Sequence, residues 1–194
     1  MARSPAPGTR DTILTAAAGL FYEYGVRAVG MAQVVEAAGC GKNLLYKHFP
    51  SKAELAAAYL TLTRHERERS AAEALRWFPD PAGQLTALVT EIADFVRRPG
   101  YRGCPFRNYL TEFPGDDDEP ARVARSYLAD SRARMDRLVT GSEGIGGDEL
   151  LADRIWLIVN GLHTGPATQA QVAVDWVAEL IRDRAPGRAG IGTA

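Results

Sequence analysis

The sequence predicts an all-α protein. Three observations carry that expectation. Apolar residues recur at three- and four-residue spacing through most of the 194 residues. Gly, Pro and Asp/Ser/Thr signals punctuate the chain at intervals suited to helices. No stretch alternates apolar and polar residues convincingly as a half-buried strand does. About nine helices follow, with no internal repeat.

Residues 1–8 are Pro-rich, carry Arg3 as their only charged side chain, and read as a disordered arm. Thr9 is the expected cap of a first helix running to Tyr24, with Asp11 well placed in its first turn. Ile13, Ala17, Phe21 and Tyr24 keep helical spacing, and Gly25 stops the run. A second helix, about 31–38, points Val34 and Val35 inward, and Gly39 lies past its end where a left-handed residue is often needed. Cys40 and Gly41 complete a tight turn into a third helix, about 42–49.

In that third helix Leu45 and Phe49 are four apart and share the inner face. Lys42, Asn43, Tyr46, Lys47 and His48 are left to face outward or lie at the margins, with no Asp or Glu among them. A helix so short cannot stand alone in water. Its cationic and hydrogen-bonding surface is what a helix entering a DNA major groove requires. Ile13, Phe21, Val34, Leu45 and Phe49 are the expected core of a three-helix head.

Ser51 with Glu54 three residues on is a capping box, and Pro50 with Leu55 can supply the hydrophobic staple. A long helix therefore starts at Ser51 and is expected to reach about residue 78, striped by Leu55, Tyr59 and Leu62. No Gly/Ser linker separates it from the head, so it can act as a lever.

The stretch AAGCGKNLLYKHFPSKAEL, residues 37–55, resembles the helix-turn-helix signature of the TetR family of bacterial transcriptional regulators. The Ala-Gly turn, the Leu-Tyr-x-His-Phe run and the Ser-Lys-x-x-Leu that follows agree together. The resemblance covers about the first quarter of the chain. It departs at Gly30 and Gly41, where the family usually has Ser or Thr as N-caps; Gly there costs a few tenths of a kcal/mol. The resemblance implies a DNA-binding domain over 9–52, with its motif at about 31–50. It further implies a ligand-binding and dimerisation body over 53–184 and a homodimer through the last two helices; Lys52 is expected near a phosphate.

The body reads as a series of amphipathic helices. Asp80 and Pro81 open one striped by Leu85, Leu88, Val89, Ile92 and Val96, closed by Pro99-Gly100. A short helix at about 105–113 follows Gly103-Cys104, and the acidic run 116–119 precedes a helix at about 121–139. That run reads as helix capping, with a divalent metal site as the alternative. A Gly-rich loop, 140–147, leads to helices at about 148–163 and 166–184, striped by Leu151, Ile155, Ile158 and Leu162, then Val174, Val177 and Ile181. Those stripes are the candidate dimer interface. The Gly/Pro-rich tail, 185–194, is expected to be disordered.

Composition sets further bounds. Net charge is −1, but residues 1–52 carry six Lys/Arg against three acids, +3, leaving −4 on the rest. A basic head on an acidic body suits a protein that presents one end to DNA. Two cysteines, Cys40 and Cys104, form neither a CxxC pair nor a disulfide framework. Neither a signal peptide nor an apolar run of membrane-spanning length is evident, so a cytoplasmic protein without membrane attachment is expected. Gly39–Lys42 lacks the spacing of a phosphate loop, Gly144–Gly147 lacks that of a dinucleotide fingerprint, and His48, His65 and His163 lack metal-ligand spacing.

No catalytic set, cofactor site or metal site is legible. The expected function is a ligand-responsive, sequence-specific DNA-binding regulator, a repressor released from operator DNA by an apolar or aromatic effector. A small all-α enzyme or binding protein with an incidental helix-turn-helix is the competing reading. Trp77, Phe95, Phe106, Tyr109, Phe113, Tyr127 and Trp156, with Asn108, Asn160 and His163 as polar groups, are the candidate effector contacts. The same aromatics could instead simply fill the core. Cys104, between Arg102 and Arg107 at a helix start, reads as either a buried small residue or a reactive thiol.

Overall fold

Helix boundaries fall where the capping groups are. The computed structural model describes residues 8–142 and 150–183, and among these residues every regular element is helical. The expected arm, the centre of the Gly-rich loop and the tail therefore lie largely or wholly outside the described residues.

The first helix, α1 (Thr9–Tyr24), corrects one expectation: its N-cap is Gly8, at φ 90°, and Thr9 is already helical. The Gly8 carbonyl accepts from both the Thr12 amide and the Thr12 hydroxyl, which anchors the first turn without a side-chain cap. In α2 (Met31–Ala37) the N-cap Gly30 has no side chain to offer, and Gln33 Oε1 instead accepts from the Gly30 N–H at 2.7 Å. After Gly39, at φ 59°, the chain turns into α3 (Lys42–His48), whose N-cap is Gly41. The Ser51 hydroxyl accepts from the Glu54 amide at 3.1 Å and donates to its carboxylate, opening α4 (Lys52–Leu75).

That helix stops short of residue 78. The Phe78 amide bonds the Leu75 carbonyl in a turn, and the Gln84 side chain donates to the Phe78 carbonyl. Asp80 caps α5 (Pro81–Val96) by accepting from the Gly83 amide at 2.7 Å. Next come α6 (Pro105–Glu112), N-capped at Cys104, and α7 (Glu119–Thr140), where Asp118 Oδ1 accepts from the Ala121 amide. The acidic run thus supplies a helix cap. The chain ends its described part with α8 (Leu151–Thr164), a 3-10 turn at Ala167–Gln169, and α9 (Ala170–Arg182). The turn replaces the first helical residues expected at 166–169, because the Gln169 amide reaches back only three residues, to the Pro166 carbonyl.

The described residues gather into two compact units. One takes residues 8–66 with 104–128, the other 67–103 with 129–142 and 150–183. Ile13, Phe21, Val34, Leu45 and Phe49 lie in the core of the first, as expected. Leu55, Tyr59 and Leu60 of α4, Phe106 and Tyr109 of α6, and Ala121 and Ala124 of α7 belong to the same core. Unit two is built on α5, α8 and α9, with Met135 and Val139 from α7.

Candidate nucleic-acid interface

Two packed helices hold α3 in place. Both α1 and α2 touch it, Leu45 is fully buried, Phe49 is 2% exposed, and the Arg10 guanidinium lies 4.9 Å over the Phe49 ring. At 3.6 residues per turn this inner anchor leaves Asn43, Tyr46 and Lys47 on the opposite face, and all three are exposed. Lys42 is exposed at one margin, with its ammonium 6.0 Å from the Tyr46 ring. His48 lies at the other margin, half-buried, and its Nε2 makes no hydrogen bond within the protein. The face therefore presents two ammonium groups, an amide and a phenol, with no carboxylate on the helix. Lysines of this kind neutralise phosphates, and an amide can pair with a base edge.

Lys52 is placed differently from the other five. It is half-buried at the start of α4, and its ammonium donates to the Arg27 carbonyl at 3.1 Å. Burial pushes its pKa below the ordinary lysine value, partly offset by the Glu112 charge. Arg27 itself is tied to Glu112. Its N–H donates to Glu112 Oε2 at 2.5 Å, its guanidinium donates to the Glu112 carbonyl, and the same guanidinium lies 4.9 Å over the Phe113 ring. Sequence reasoning missed this contact. The two residues are 85 positions apart and neither carries a motif.

The ten candidate effector contacts divide between the two units. In the first, Phe106 is fully buried and stacks on Tyr127 at 3.8 Å. Tyr109 is buried, stacks on Phe113 at 4.7 Å and donates its hydroxyl to Asp118 at 2.8 Å. Tyr109 and Phe113 line a small hollow of about 240 Å³ with Arg27, Lys52 and Asp118. Asn108 is half-buried. Cys104 is 5% exposed, which is the buried reading of that thiol.

In the second unit Trp77 is 71% exposed beside Arg76, so it lies on the surface. Phe95 is half-buried between the guanidinium groups of Arg67 and Arg98 and meets Tyr101 edge-on at 5.4 Å. The Tyr101 hydroxyl and His163 Nδ1 are 2.7 Å apart, so His163 has its hydrogen bond. Trp156 and Asn160 are half-buried on α8. Among the described residues no group of three His, Cys, Asp or Glu is gathered to hold a metal ion, and no helix is long and apolar enough to cross a membrane.

One expectation about α8 and α9 needs correction. Leu151, Ile155, Leu162, Val174 and Val177, expected to meet a partner, are buried inside unit two. The apolar side chains exposed on these two helices are others: Leu157 at 69%, Val172 at 45% and Trp176 at 56%. Together with Ile158, Gly161, Pro166 and Ala173 they line a groove of about 480 Å³.

Residues 13–59 match the family model described as "Bacterial regulatory proteins, tetR family". The chain is 35% identical over 112 residues to the HTH-type transcriptional activator FasR of Mycolicibacterium smegmatis, a match covering 57% of this chain and about half, 51%, of that protein. It is 30% identical over 86 residues to the HTH-type transcriptional regulator LmrA of Bacillus subtilis, covering 44% of this chain and 46% of that one. Among solved structures, the TetR-family regulator SCO4454 of Streptomyces coelicolor superposes with a TM-score of 0.83 at 23% identity, over 91% of this chain and 95% of that one. A regulator of the same kind from Streptomyces avermitilis gives 0.70 at 25% identity, over 91% and 97%.

Proposed function

We propose that the chain is a member of the TetR family of bacterial transcriptional regulators, a homodimeric, cytoplasmic repressor that leaves its operator when an apolar or aromatic small molecule binds. The observation that carries this reading is the exposed face of α3. Four side chains suited to phosphates and base edges stand there on a helix whose other side is fixed by Leu45 and Phe49. Two such heads related by a two-fold axis reach successive major-groove faces about 34–36 Å apart and read a near-palindrome. The protein acts by binding, with no chemical step of its own.

The effector half of the proposal rests on side chains with surface left open: Asn108, Phe113 and Tyr127 in one unit, Phe95, Tyr101 and His163 in the other. An effector regulates only through unequal affinity for the DNA-ready and DNA-free states. The expected coupling is about 1–3 kcal/mol.

The test begins with enrichment of duplexes from a random pool, followed by a gel shift with DNA from the protein's own locus. Enriched sequences with two-fold half-sites are expected, and a pool that never enriches sinks the reading. A compound that releases the DNA must itself bind less tightly, by the same factor, when operator is present. Equal affinities in calorimetry with and without operator would remove the effector mechanism.

A further inference from the structure

We infer that Glu112, at the last residue of α6, is a positioning residue for DNA recognition, acting through Arg27 on the turn that carries the helix-turn-helix. The inference rests on the proposed DNA-binding function and adds to it the place where α6 governs the head.

The contact is reciprocal, each side chain engaging the other residue's backbone. The Glu112 carboxylate accepts from the Arg27 N–H, and the Arg27 guanidinium donates to the Glu112 carbonyl at the C-terminal end of α6. That carbonyl belongs to the last turn of a helix, where acceptors lack intrahelical donors and the dipole favours a cation. The guanidinium carbon also lies 4.9 Å from the centre of the Phe113 ring. Arg27 is gripped on its other side as well, because Lys52 of α4 donates to its carbonyl. One residue of the α1–α2 connection is thus tied to α6 through its N–H and to α4 through its C=O.

The approach is close enough to restrict the sequence. Gly25 sits at φ 86°, and a Cβ there would stand 2.9 Å from Glu112 Oε1. Arg27 is three residues before Gly30, the N-cap of α2. A shift of α6 that carries Glu112 therefore moves the entry to the helix-turn-helix directly, beside any motion passed along α4. Neither Arg27 nor Glu112 belongs to the DNA-facing surface of α3, so their effect on recognition is one of orientation.

The experiment uses the full-length protein and the duplex it enriches. Glu112→Ala and Arg27→Ala are each expected to weaken binding about five- to tenfold, the low end for coupled sites, and the double variant, which removes both hydrogen bonds where each single one leaves the other's in place, to be weaker than either. Glu112→Gln keeps an acceptor for the Arg27 N–H and is expected to restore affinity to within about twofold, since a neutral acceptor still satisfies a backbone donor. Helix content and the slope of affinity against salt are expected to stay at the parent values, because no phosphate contact is removed. Parent affinity in both alanine variants overturns the proposal, as does a glutamine variant as weak as alanine. A parent protein that enriches no duplex is a different result, and counts against the DNA-binding function itself.

Discussion

Glu91 of α5 accepts two hydrogen bonds from the Arg67 guanidinium of α4, at 2.9 and 2.7 Å, with the two side chains only 12% and 10% exposed. The guanidinium also lies 3.9 Å over the Phe95 ring. A buried pair of this kind is worth little relative to a well-packed apolar pair, but breaking it strands a charge. Glu91→Ala is expected to cost about 3 kcal/mol. At 2–4 °C per kcal/mol that is roughly 6–12 °C in Tm. Arg67→Met combined with Glu91→Leu should lie near the parent, and a melt of the double variant as low as the single one would show that the pair contributes more than charge balance.

Lys47 stands on the outer face of α3. Lys47→Ala should weaken binding to all sequences about equally and reduce the salt slope by about one. Anisotropy titrations at several salt concentrations measure both, and an unchanged slope removes Lys47 from the phosphate contacts.

Leu157, Val172 and Trp176 form the exposed apolar face of α8 and α9. Exposed apolar side chains grouped this way mark association surfaces. Trp176→Arg or Leu157→Asp should yield a monomer by light scattering and lower operator affinity by more than about tenfold, since a half-site complex loses the second head's effective concentration. A parent protein that is monomeric at micromolar concentration would contradict the two-fold assembly.

Tyr59 and Tyr109 hold their protons well above the ordinary tyrosine value of 10.0. Burial is the leading cause in both, joined at Tyr109 by the hydrogen bond to Asp118. Above pH 10 the unfolded tyrosines release protons that the folded ones keep, so the unfolded state binds fewer protons and stability falls as pH rises. Below pH 10 the contribution is fully present. Tm should decline above about pH 10, less steeply in Tyr109→Phe. Equal slopes in parent and variant would remove Tyr109 from the account.

What was legible in the sequence was local. Ser51 with Glu54, Asp80 with Pro81, and Leu45 with Phe49 each act within four residues, and each stands where spacing placed it. The fold class and the three-helix head follow from such signals. The division of the apolar residues of α9 did not. Val177 is buried while Trp176 beside it is exposed, and periodicity cannot tell a face turned to the protein's own core from one left for a partner. Glu112 and Arg27 were illegible for another reason: their contact depends on α6 returning to the head, and nothing within either neighbourhood records that return.

The membership of residues 104–128 in the same unit as residues 8–66 bears on how this protein can be taken apart. Its three-helix head is not an interchangeable cassette. A chimera joined after Glu66 would exchange Ile13, Phe21 and Tyr59 while leaving Phe106, Tyr109, Ala121 and Ala124 to the other parent, splitting one core between two sequences. Two of the three crossings between the units run inside continuous helices, α4 and α7, where a graft has no loop to absorb a mismatch. Under the proposed function, retargeting the protein to another operator is therefore better attempted by changing the outward residues of α3 than by transplanting the head.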